Sequence, residues 1–554
     1  MDKTKLTPQR VSKEYNAAIR FNNGIDLYDC VQTNENFFIG KQWEGVQSNG
    51  LPTPVFNFLK RVVLFSVANV STDNLKLHAK PLPSSSKLGE KGLDALTNII
   101  NDQFVSIFEH NKMGGLIREF CRNAAVDGDG CMYTYWDSEA ETGQDSKGAI
   151  RTEVLMNTQV LFGNPNCRDV QRQPYILIER RLTMHEARKR AKENHSSDID
   201  LIVPDGKEVG DSHLDELGGD KVTAILRMWR DEETGHIWCY ECTKHAELRK
   251  AWDLGISRYP IVWMNWDYVQ DSYHGQAMIT GLIPNQIFVN KLFAMSMISL
   301  MTLAYPKVVY DKTKVAKWSN RVGASIAVNG SVDSVAKIID PASISPQISQ
   351  FIDIAVGYTQ RFLGATDVAL GDTRPDNTSA IIALQRAAAT PMELTKQNLL
   401  QSIEDMGRIY MEFMAEYYGE RSVELDSPLE PGHKLVLDFD FSVLKKVPCS
   451  IDLDAGAASY WSEIAAMQTL DNLLMQGKIS TVEYLKRLPA GQITDRDALV
   501  EVLQRDQMMQ MGMMPPEAGH QPSPTDMAEP PLRGGPGNAA LQRKINETGE
   551  VPGM

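Results

Sequence analysis

LIPNQIFVNKLFAMSMISLMTLA, residues 282–304, is the stretch of this chain that decides the fold. It predicts a helix about 34 Å long at 1.5 Å per residue, with apolar side chains on nearly every face. The longest uncharged apolar run, residues 292–305, has 14 residues, fewer than the roughly 18 needed to cross a bilayer. We therefore expect this helix to be buried by other protein, within the chain or by another subunit.

The segments that follow this helix give the chain its organisation. A β-rich insertion, residues 305–344, leads into a second helix at residues 345–363. A loop rich in glycine and aspartate covers residues 364–377. A very long helix then runs from residue 378 to about 418, with a kink predicted at Pro391. Helices and strands mixed in this way predict an α+β fold.

The regions on either side carry weaker patterns. Residues 11–38 predict one helix, and the polar segment 194–219 predicts a surface loop. Three strands of one sheet are expected at residues 222–229, 236–242 and 261–266. Residues 460–504 predict a helical region, and residues 511–554, rich in proline and glycine, predict disorder.

Composition excludes several classes of protein. The net charge is −14 and the isoelectric point is about 5.3, which argues against a broad basic surface that grips nucleic acid. Seven cysteines in 554 residues form no disulfide framework and suit a reducing cytosol. The N-terminus has no apolar segment of the kind that a secretory signal requires.

One cluster has the residue types of a zinc site. His236, Cys239, Cys242 and His245 lie within ten residues, and thiolate and imidazole are the ligands that zinc prefers. A zinc knuckle needs a tight turn between its cysteines, however, and a straight strand would direct Cys239 and Cys242 to opposite faces. We expect a strand with two incidental cysteines and no bound metal.

Other catalytic motifs are incomplete. The HExxH pattern that begins at His185 has Lys189 in place of its second histidine. The calcium-loop pattern that begins at Asp127 has Met132 where a glycine is required, so we predict a simple turn. No GxxxxGK[ST] phosphate-binding loop is present. We therefore predict no catalytic residues, no metal and no cofactor.

The insertion at residues 305–344 is basic in an acidic chain. Six cations face three carboxylates, a local charge of +3; the cations are Lys307, Lys312, Lys314, Lys317, Arg321 and Lys337, and the carboxylates are Asp311, Asp333 and Asp340. A solvated hairpin would account for this composition. The alternative is a surface that docks an acidic partner or DNA.

In several ordered segments the sequence resembles the portal proteins of tailed bacteriophages. The resemblance covers residue 15 to about residue 506. Its segments are FFIGKQW (37–43), PVFN (54–57), VLFGNP (160–165), YPIV (259–262), YHG (273–275), LIPNQ (282–286), NKL (290–292), NTSA (377–380), DAGAASYW (454–461), TLDNL (469–473) and GKIS (477–480). Each segment is weak alone, but their order and spacing together are fairly specific.

The resemblance implies a mainly helical portal fold, with wing, stem, clip and crown domains, that assembles as a ring, usually of twelve subunits. The implied parts are the wing (1–281 and 378–458), the stem helices (282–304 and 345–363), the clip (305–344), the tunnel loop (364–377), the crown (459–506) and a disordered tail (507–554).

The family implies a head–tail connector without enzymatic activity at one capsid vertex of the virion. Double-stranded DNA is packaged through its channel by a separate terminase motor and later ejected. The implied partners are other copies of the chain, the terminase large subunit, head–tail adaptor and tail proteins, and major capsid and scaffolding proteins, with assembly in the host cytoplasm and no membrane. The clip would dock partners through Lys307, Lys312, Lys314, Lys317 and Arg321.

In the tunnel loop implied by the resemblance, Asp367, Asp372 and Asp376 would repel DNA phosphates, so that DNA moves without deep binding minima. Arg374 is the one cation there and is our candidate for a transient phosphate contact.

Two other readings remain open at this point. The chain could be a helical virion adaptor or scaffold protein that forms no ring, which the mass in solution would distinguish. It could also be a metal-dependent hydrolase that uses the His236 cluster, which elemental analysis would distinguish.

Overall fold

The computed structural model describes most of the chain in two compact units, Met1–Ala458 and Ser459–Met554. The described residues are 6–48, 50–71, 75–81, 90–144, 146–205, 220–304, 308–315, 317–319, 321, 325–332, 335–338, 347–362, 392–426, 434–454, 460–488, 499–500 and 502–503. Helices and antiparallel sheets occur together in the first unit. The predicted α+β class is confirmed.

The N-terminal part of the first unit is mainly helical. Its elements are α1 (Pro8–Gly24), α2 (Leu27–Ile39), α3 (Phe58–Val70), β1 (Lys76–Pro81), α4 (Glu90–His110) and α5 (Met113–Asp127). The single helix predicted over residues 11–38 is wrong, because Asp26 has a φ of 53°. That left-handed conformation interrupts the helical hydrogen-bond pattern and separates α1 from α2.

Two antiparallel sheets follow. The elements are β2 (Asp129–Asp137), β3 (Ala149–Leu155), β4 (Val160–Phe162), β5 (Ile176–Thr183), α6 (Met184–Glu193), β6 (Lys221–Arg230), β7 (Ile237–Cys242), β8 (Glu247–Asp253) and β9 (Ile261–Asn265). One sheet has the order β4-β5-β6-β7-β8 and the other has the order β3-β2-β9. The expectation that residues 222–229, 236–242 and 261–266 share one sheet is therefore wrong, because β9 pairs with β2.

A two-helix arm follows the sheets. It consists of α7 (Ile283–Ala304), β10 (Val308–Tyr310), β11 (Ala336–Ile338) and α8 (Gln347–Phe362). The two strands form an antiparallel hairpin, and α7 packs against α8. We call the described residues between the two helices the tip of the arm. Residues 325–328 also lie in the insertion predicted to be β-rich, but they form no strand.

The first unit ends with elements that return to the body. They are α9 (Glu393–Phe413), a π-helical turn (Met414–Tyr418), β12 (Glu420–Asp426), β13 (Lys434–Asp440) and β14 (Cys449–Asp454). β12 pairs with β13, and β14 pairs with the distant β1. The helical end predicted near residue 418 is confirmed. The kink at Pro391 lies outside the described residues, as do residues 378–390.

The main core joins these elements. Buried apolar side chains from α2 to α5, both sheets and α9 form one cluster, in which Phe104, Phe120 and Tyr410 are fully enclosed. A second cluster packs α1 on the outer face of the five-stranded sheet. Because α9 contacts β2, β9 and β14, it ties the end of the first unit to its beginning.

The second unit contains α10 (Tyr460–Met475) and α11 (Thr481–Arg487). Ser480 caps α11 by accepting a hydrogen bond from the Glu483 backbone N–H, at 3.2 Å. Val482, Leu485, Leu488 and Val500 form its small apolar cluster. Two helices with a shared apolar face agree with the helical pattern predicted for residues 460–504, of which residues 489–498, 501 and 504 are not described.

Candidate functional site

A buried polar network holds the start of α7. The Gln286 side-chain amide donates to the Phe56 carbonyl oxygen at 2.7 Å and to Asn290 Oδ1 at 2.9 Å. Asn290 in turn donates to Gln42 Oε1 at 2.6 Å, and Gln286 Oε1 accepts from the Leu59 backbone N–H. These contacts satisfy the polar groups that interrupt an otherwise apolar helix. We call this network the root of the arm.

Two further contacts fix the direction of the arm. The ring of Phe56 stacks on that of Phe293, with centroids 3.9 Å apart. The Asn285 side chain in the first turn of α7 donates to Thr359 Oγ1, near the end of α8, at 3.0 Å. The first turn of one helix thus meets the last turns of the other, so α7 and α8 are antiparallel.

Beyond the root, the arm exposes apolar side chains. Only 22% of an 18-residue apolar window within Ile283–Leu303 is buried, so of the two expected alternatives, burial of this helix within the chain is wrong. More than a third of the side-chain surface is exposed at Phe288, Met295, Met297, Leu300, Met301 and Leu303 on α7 and at Phe351, Ile354 and Tyr358 on α8. Contiguous apolar surface of this kind marks an interaction site.

The apolar segment is also longer than the uncharged run predicted from sequence. Ile283–Leu303 has 21 residues and, by length and composition alone, could cross a membrane. The uncharged run of 14 residues is shorter because it excludes Lys291, which lies inside the helix. Core helices of soluble proteins pass the same test, so this feature is weak evidence for a membrane.

The tip of the arm carries exposed cations. Lys312, Lys317 and Arg321 are exposed, and Lys314 lies 3.9 Å from Asp311 Oδ2. Hydrogen bonds from Thr313 lower the pKa of the Asp311 carboxyl. Lys307, Asp333 and Asp340 lie outside the described residues. Five described cations, these four and Lys337, therefore face one described carboxylate across the tip.

Aromatic stacking gives this tip a small fixed element. The rings of Tyr310 and Trp318 stack with centroids 5.4 Å apart. Val315 and Val335 are buried beside the β10–β11 hairpin. The cations are thus carried by a folded hairpin.

The residues predicted for the tunnel loop cannot be placed. Asp367, Asp372, Arg374 and Asp376 lie outside the described residues, which stop at residue 362 and resume at residue 392. Their expected role therefore stays a prediction.

The His236 cluster does not come together. Cys239 and Cys242 of β7 are buried in two different apolar clusters, as expected for side chains on opposite faces of a strand. Burial raises the pKa of both thiols. His236 Nδ1 lies 3.1 Å from Asp253 Oδ2, and His245 is exposed. Within the described part of the chain, no group of three or more His, Cys, Asp or Glu side chains could hold a metal ion.

The turn at Asp127 supports a second polar network, which sequence reasoning missed. Asp129 is fully buried, and its carboxylate accepts hydrogen bonds from the Gly275 backbone N–H, Asn265 Nδ2 and His274 Nδ1, each at 2.7 Å. Asn157 Nδ2 donates to the same carboxylate at 3.3 Å. We call this network the Asp129 hub. The sequence signals that could have pointed to it were the DGDG turn and the segment YHG.

This hub holds the segment that leads into α7. Gly275 and His274 precede α7 by fewer than ten residues. Closer to the helix, Asn34 Nδ2 donates to Thr280 Oγ1 and to the Val126 carbonyl oxygen, both at 2.9 Å. Gly128, at φ 101°, could not carry a side chain, because an added Cβ would lie 2.8 Å from the Gly275 carbonyl oxygen. The arm therefore starts from a tightly packed part of the body.

Comparison with known proteins gives one family. The sequence profile of a family described as phage P22-like portal protein matches residues 137–423, just over half of the 554 residues. The match contains the five-stranded sheet, both helices of the arm, its tip and α9. No curated protein matches the chain.

Proposed function

Because this chain belongs to the phage P22-like portal protein family, we propose that its copies assemble into a ring around a channel at one capsid vertex. Double-stranded DNA passes inwards through this channel when a separate terminase motor packages the genome, and outwards at ejection. The protein is a phage portal protein and a component of the virion capsid. About twelve copies are expected in the ring, as is usual in the family.

The observation that carries this proposal is the exposed apolar surface of α7 and α8. A single chain leaves Phe288, Leu300 and Phe351 about half exposed, and burial of apolar surface is worth roughly 25 cal/mol per Å². Neighbouring copies in a ring would cover these side chains. The polar root orients the arm so that each copy presents it in the same way.

The parts of the ring follow the segments of the chain. In this proposal residues 282–304 and 345–363 are the stem, residues 305–344 the clip and residues 364–377 the tunnel loop. Residues 1–281 and 378–458 form the wing, residues 459–506 form the crown inside the capsid, and residues 507–554 are a tail. The ring would be built in the host cytoplasm with major capsid and scaffolding proteins.

The cations of the tip suit a docking surface. Lys312, Lys314, Lys317 and Arg321, together with Lys307, would meet an acidic face of the terminase large subunit and later of a head–tail adaptor or tail protein. The tip is locally basic in a chain whose net charge is −14, so its field attracts acidic surfaces that the rest of the molecule repels.

In the tunnel loop, Asp367, Asp372 and Asp376 would keep the DNA from binding tightly, and Arg374 would make transient phosphate contacts. An Arg374→Ala variant should assemble normally but package DNA at a changed rate. Normal packaging by that variant would contradict the assigned role.

The proposal is tested by the mass of the purified protein in solution, measured by light scattering, and by negative-stain images of the same peak. Rings with a central hole and a mass about twelve times 61.9 kDa are expected. A monomer or dimer that persists with scaffolding protein present would instead favour the non-ring virion adaptor.

A matched pair of variants connects this test to the arm. Leu300 on α7 and Leu201 on a surface turn far from the arm in sequence are each 54% exposed. Leu300→Glu places a charge in the proposed interface and should abolish ring formation, whereas Leu201→Glu should leave it unchanged. If both variants assembled equally well, the arm would not be part of the interface between copies.

A further inference from the structure

Each helix of the arm carries one isolated charge, and the two charges are opposite. Lys291 is the one charged residue of α7. On α8, Asp353 is the one charged residue whose side chain the structure describes; the side chain of Arg361 lies outside the description. Lys291 and Asp353 are both exposed, and neither is paired with an opposite charge within the part of the chain that the structure describes. Lys291 follows the exposed Phe288 by three residues and precedes the exposed Met295 by four, so it lies within an apolar stripe.

The two charges lie at the same level of the arm. The hydrogen bond between Asn285 and Thr359 sets a reference point where the helices meet. Lys291 follows Asn285 by six residues, and Asp353 precedes Thr359 by six. In antiparallel helices both steps lead away from the root, by about 9 Å at 1.5 Å per residue.

Helical geometry directs the two side chains away from each other. Each residue turns the side-chain direction by about 100°, so six residues turn it by about 600°, which is equivalent to about 240°. Lys291 therefore leaves α7 about 120° from the side that faces α8, and Asp353 leaves α8 about 120° from the side that faces α7. Because the two side chains point away from each other, they form no ion pair within the described part of one chain.

The sense of rotation puts the charges on opposite flanks. Seen from the root, both right-handed helices turn in the same sense over these six residues, but they start from opposite directions because each helix faces the other. Lys291 thus marks one flank of the arm and Asp353 marks the other. A subunit with a cation on one flank and a carboxylate on the other is suited to head-to-tail contact, the type that closes into a ring.

We propose that Lys291 of one copy forms an ion pair with Asp353 of the next copy and so sets the level at which neighbouring arms meet. The inference rests on the ring assembly proposed above. Apolar stripes alone can slide past each other, whereas one charged pair within them is satisfied in a single register. Lipid would be a poorer cover for this stripe, because a lysine in the middle of a spanning helix is costly.

Charge reversal tests the pair. Lys291→Glu places two carboxylates at every contact, and Asp353→Lys places two ammonium groups there. Each variant alone should raise the concentration for half-assembly about tenfold or more, since like charges at an interface are strongly unfavourable. Lys250→Glu, a reversal at an exposed lysine of β8, is the control and should assemble like the natural protein.

The decisive experiment mixes the two single variants in equal amounts. In an alternating ring every contact then has one Glu or Asp opposite one Lys, so assembly should return. If the two charges paired within one chain, or did not pair at all, the mixture would assemble no better than either variant alone. That result would overturn the inference. Circular dichroism of each variant should match the natural protein, because both side chains are exposed.

The natural protein, assayed in parallel with scaffolding protein present, separates this inference from the proposed function. If it forms no ring, the proposed function fails. If it forms rings and both reversed variants form them equally well, only the ion pair is wrong.

Discussion

Replacing Asp129 with asparagine would test whether the Asp129 hub stabilises the body from which the arm starts. The carboxylate has no exposure to solvent and accepts four hydrogen bonds, two at each oxygen. An asparagine keeps the shape and one acceptor oxygen. Its amide NH₂ would face two donors in place of the other oxygen.

The magnitude follows from the bonds that are lost. Oδ2 accepts from His274 Nδ1 at 2.7 Å and from Asn157 Nδ2 at 3.3 Å. A hydrogen bond to a charged group contributes about 1.5–3 kcal/mol, so losing these two should lower the free energy of unfolding by about 3–6 kcal/mol. That is a large part of the roughly 5–15 kcal/mol that stabilises a typical domain.

The assay is denaturant unfolding followed by tryptophan fluorescence. Trp263 on β9 contacts the hub, since its ring centroid lies 5.7 Å from that of His274. Asp137→Asn is the matched control, because Asp137 ends the same strand and makes one surface ion pair, 3.9 Å from Arg151, worth at most about 1 kcal/mol. Equal destabilisation by the two substitutions would refute the reasoning.

Three further predictions concern other sites. Burial raises the pKa of Asp127 to about 7. Because this pKa is higher than that of an aspartate in the unfolded chain, the folded state keeps the proton to a higher pH, and the free energy of unfolding should fall as the pH rises from about 4 to 8. Asp127→Asn should flatten that slope in unfolding curves measured across this range, and an unchanged slope would exclude Asp127 as its source. Asn290→Leu should lower the free energy of unfolding by about 2–6 kcal/mol, because it leaves two buried amide groups without their partner; a loss below 1 kcal/mol would show that water replaces the amide. Thr183→Ala should cost about 1 kcal/mol by removing the capping box with Glu186, whereas Thr183→Ser should be nearly neutral, and equal melting temperatures of these two variants would contradict the cap.

Local sequence patterns predicted the positions of helices and strands better than they predicted which strands pair. The helix of residues 282–304 follows from its run of apolar residues, and the strands at residues 308–310 and 336–338 lie in the insertion that was predicted to be β-rich. Strands β3, β8 and β12 were not predicted, because their sequences AIRTEVL, ELRKAWD and ERSVELD are rich in charge. Their extended form depends on neighbouring strands, which a local pattern does not contain.

The same distinction applies to the candidate site. Gln286 and Asn290 are visible in the sequence as polar residues of a largely apolar helix, but the Gln42 side chain that satisfies Asn290 lies 248 residues away. The sequence also could not distinguish burial of α7 within the chain from burial of α7 by another copy. The exposed apolar side chains of the arm make that distinction.

The Asp129 hub and the proposed contact between copies are connected through α7. The hub fixes Gly275, Asn34 fixes Thr280, and Gln286 fixes the first turns of the helix. The level of Lys291 is therefore set by contacts that the residues before it make with the body of the same chain. A neighbouring copy sets the level of its Asp353 through the same contacts, so the two charges meet only if both roots are intact. A substitution that weakens the Asp129 hub or the root should thus weaken ring assembly although the interface residues are unchanged. Strengthening the pairing of Lys291 with Asp353 should not restore assembly in such a variant.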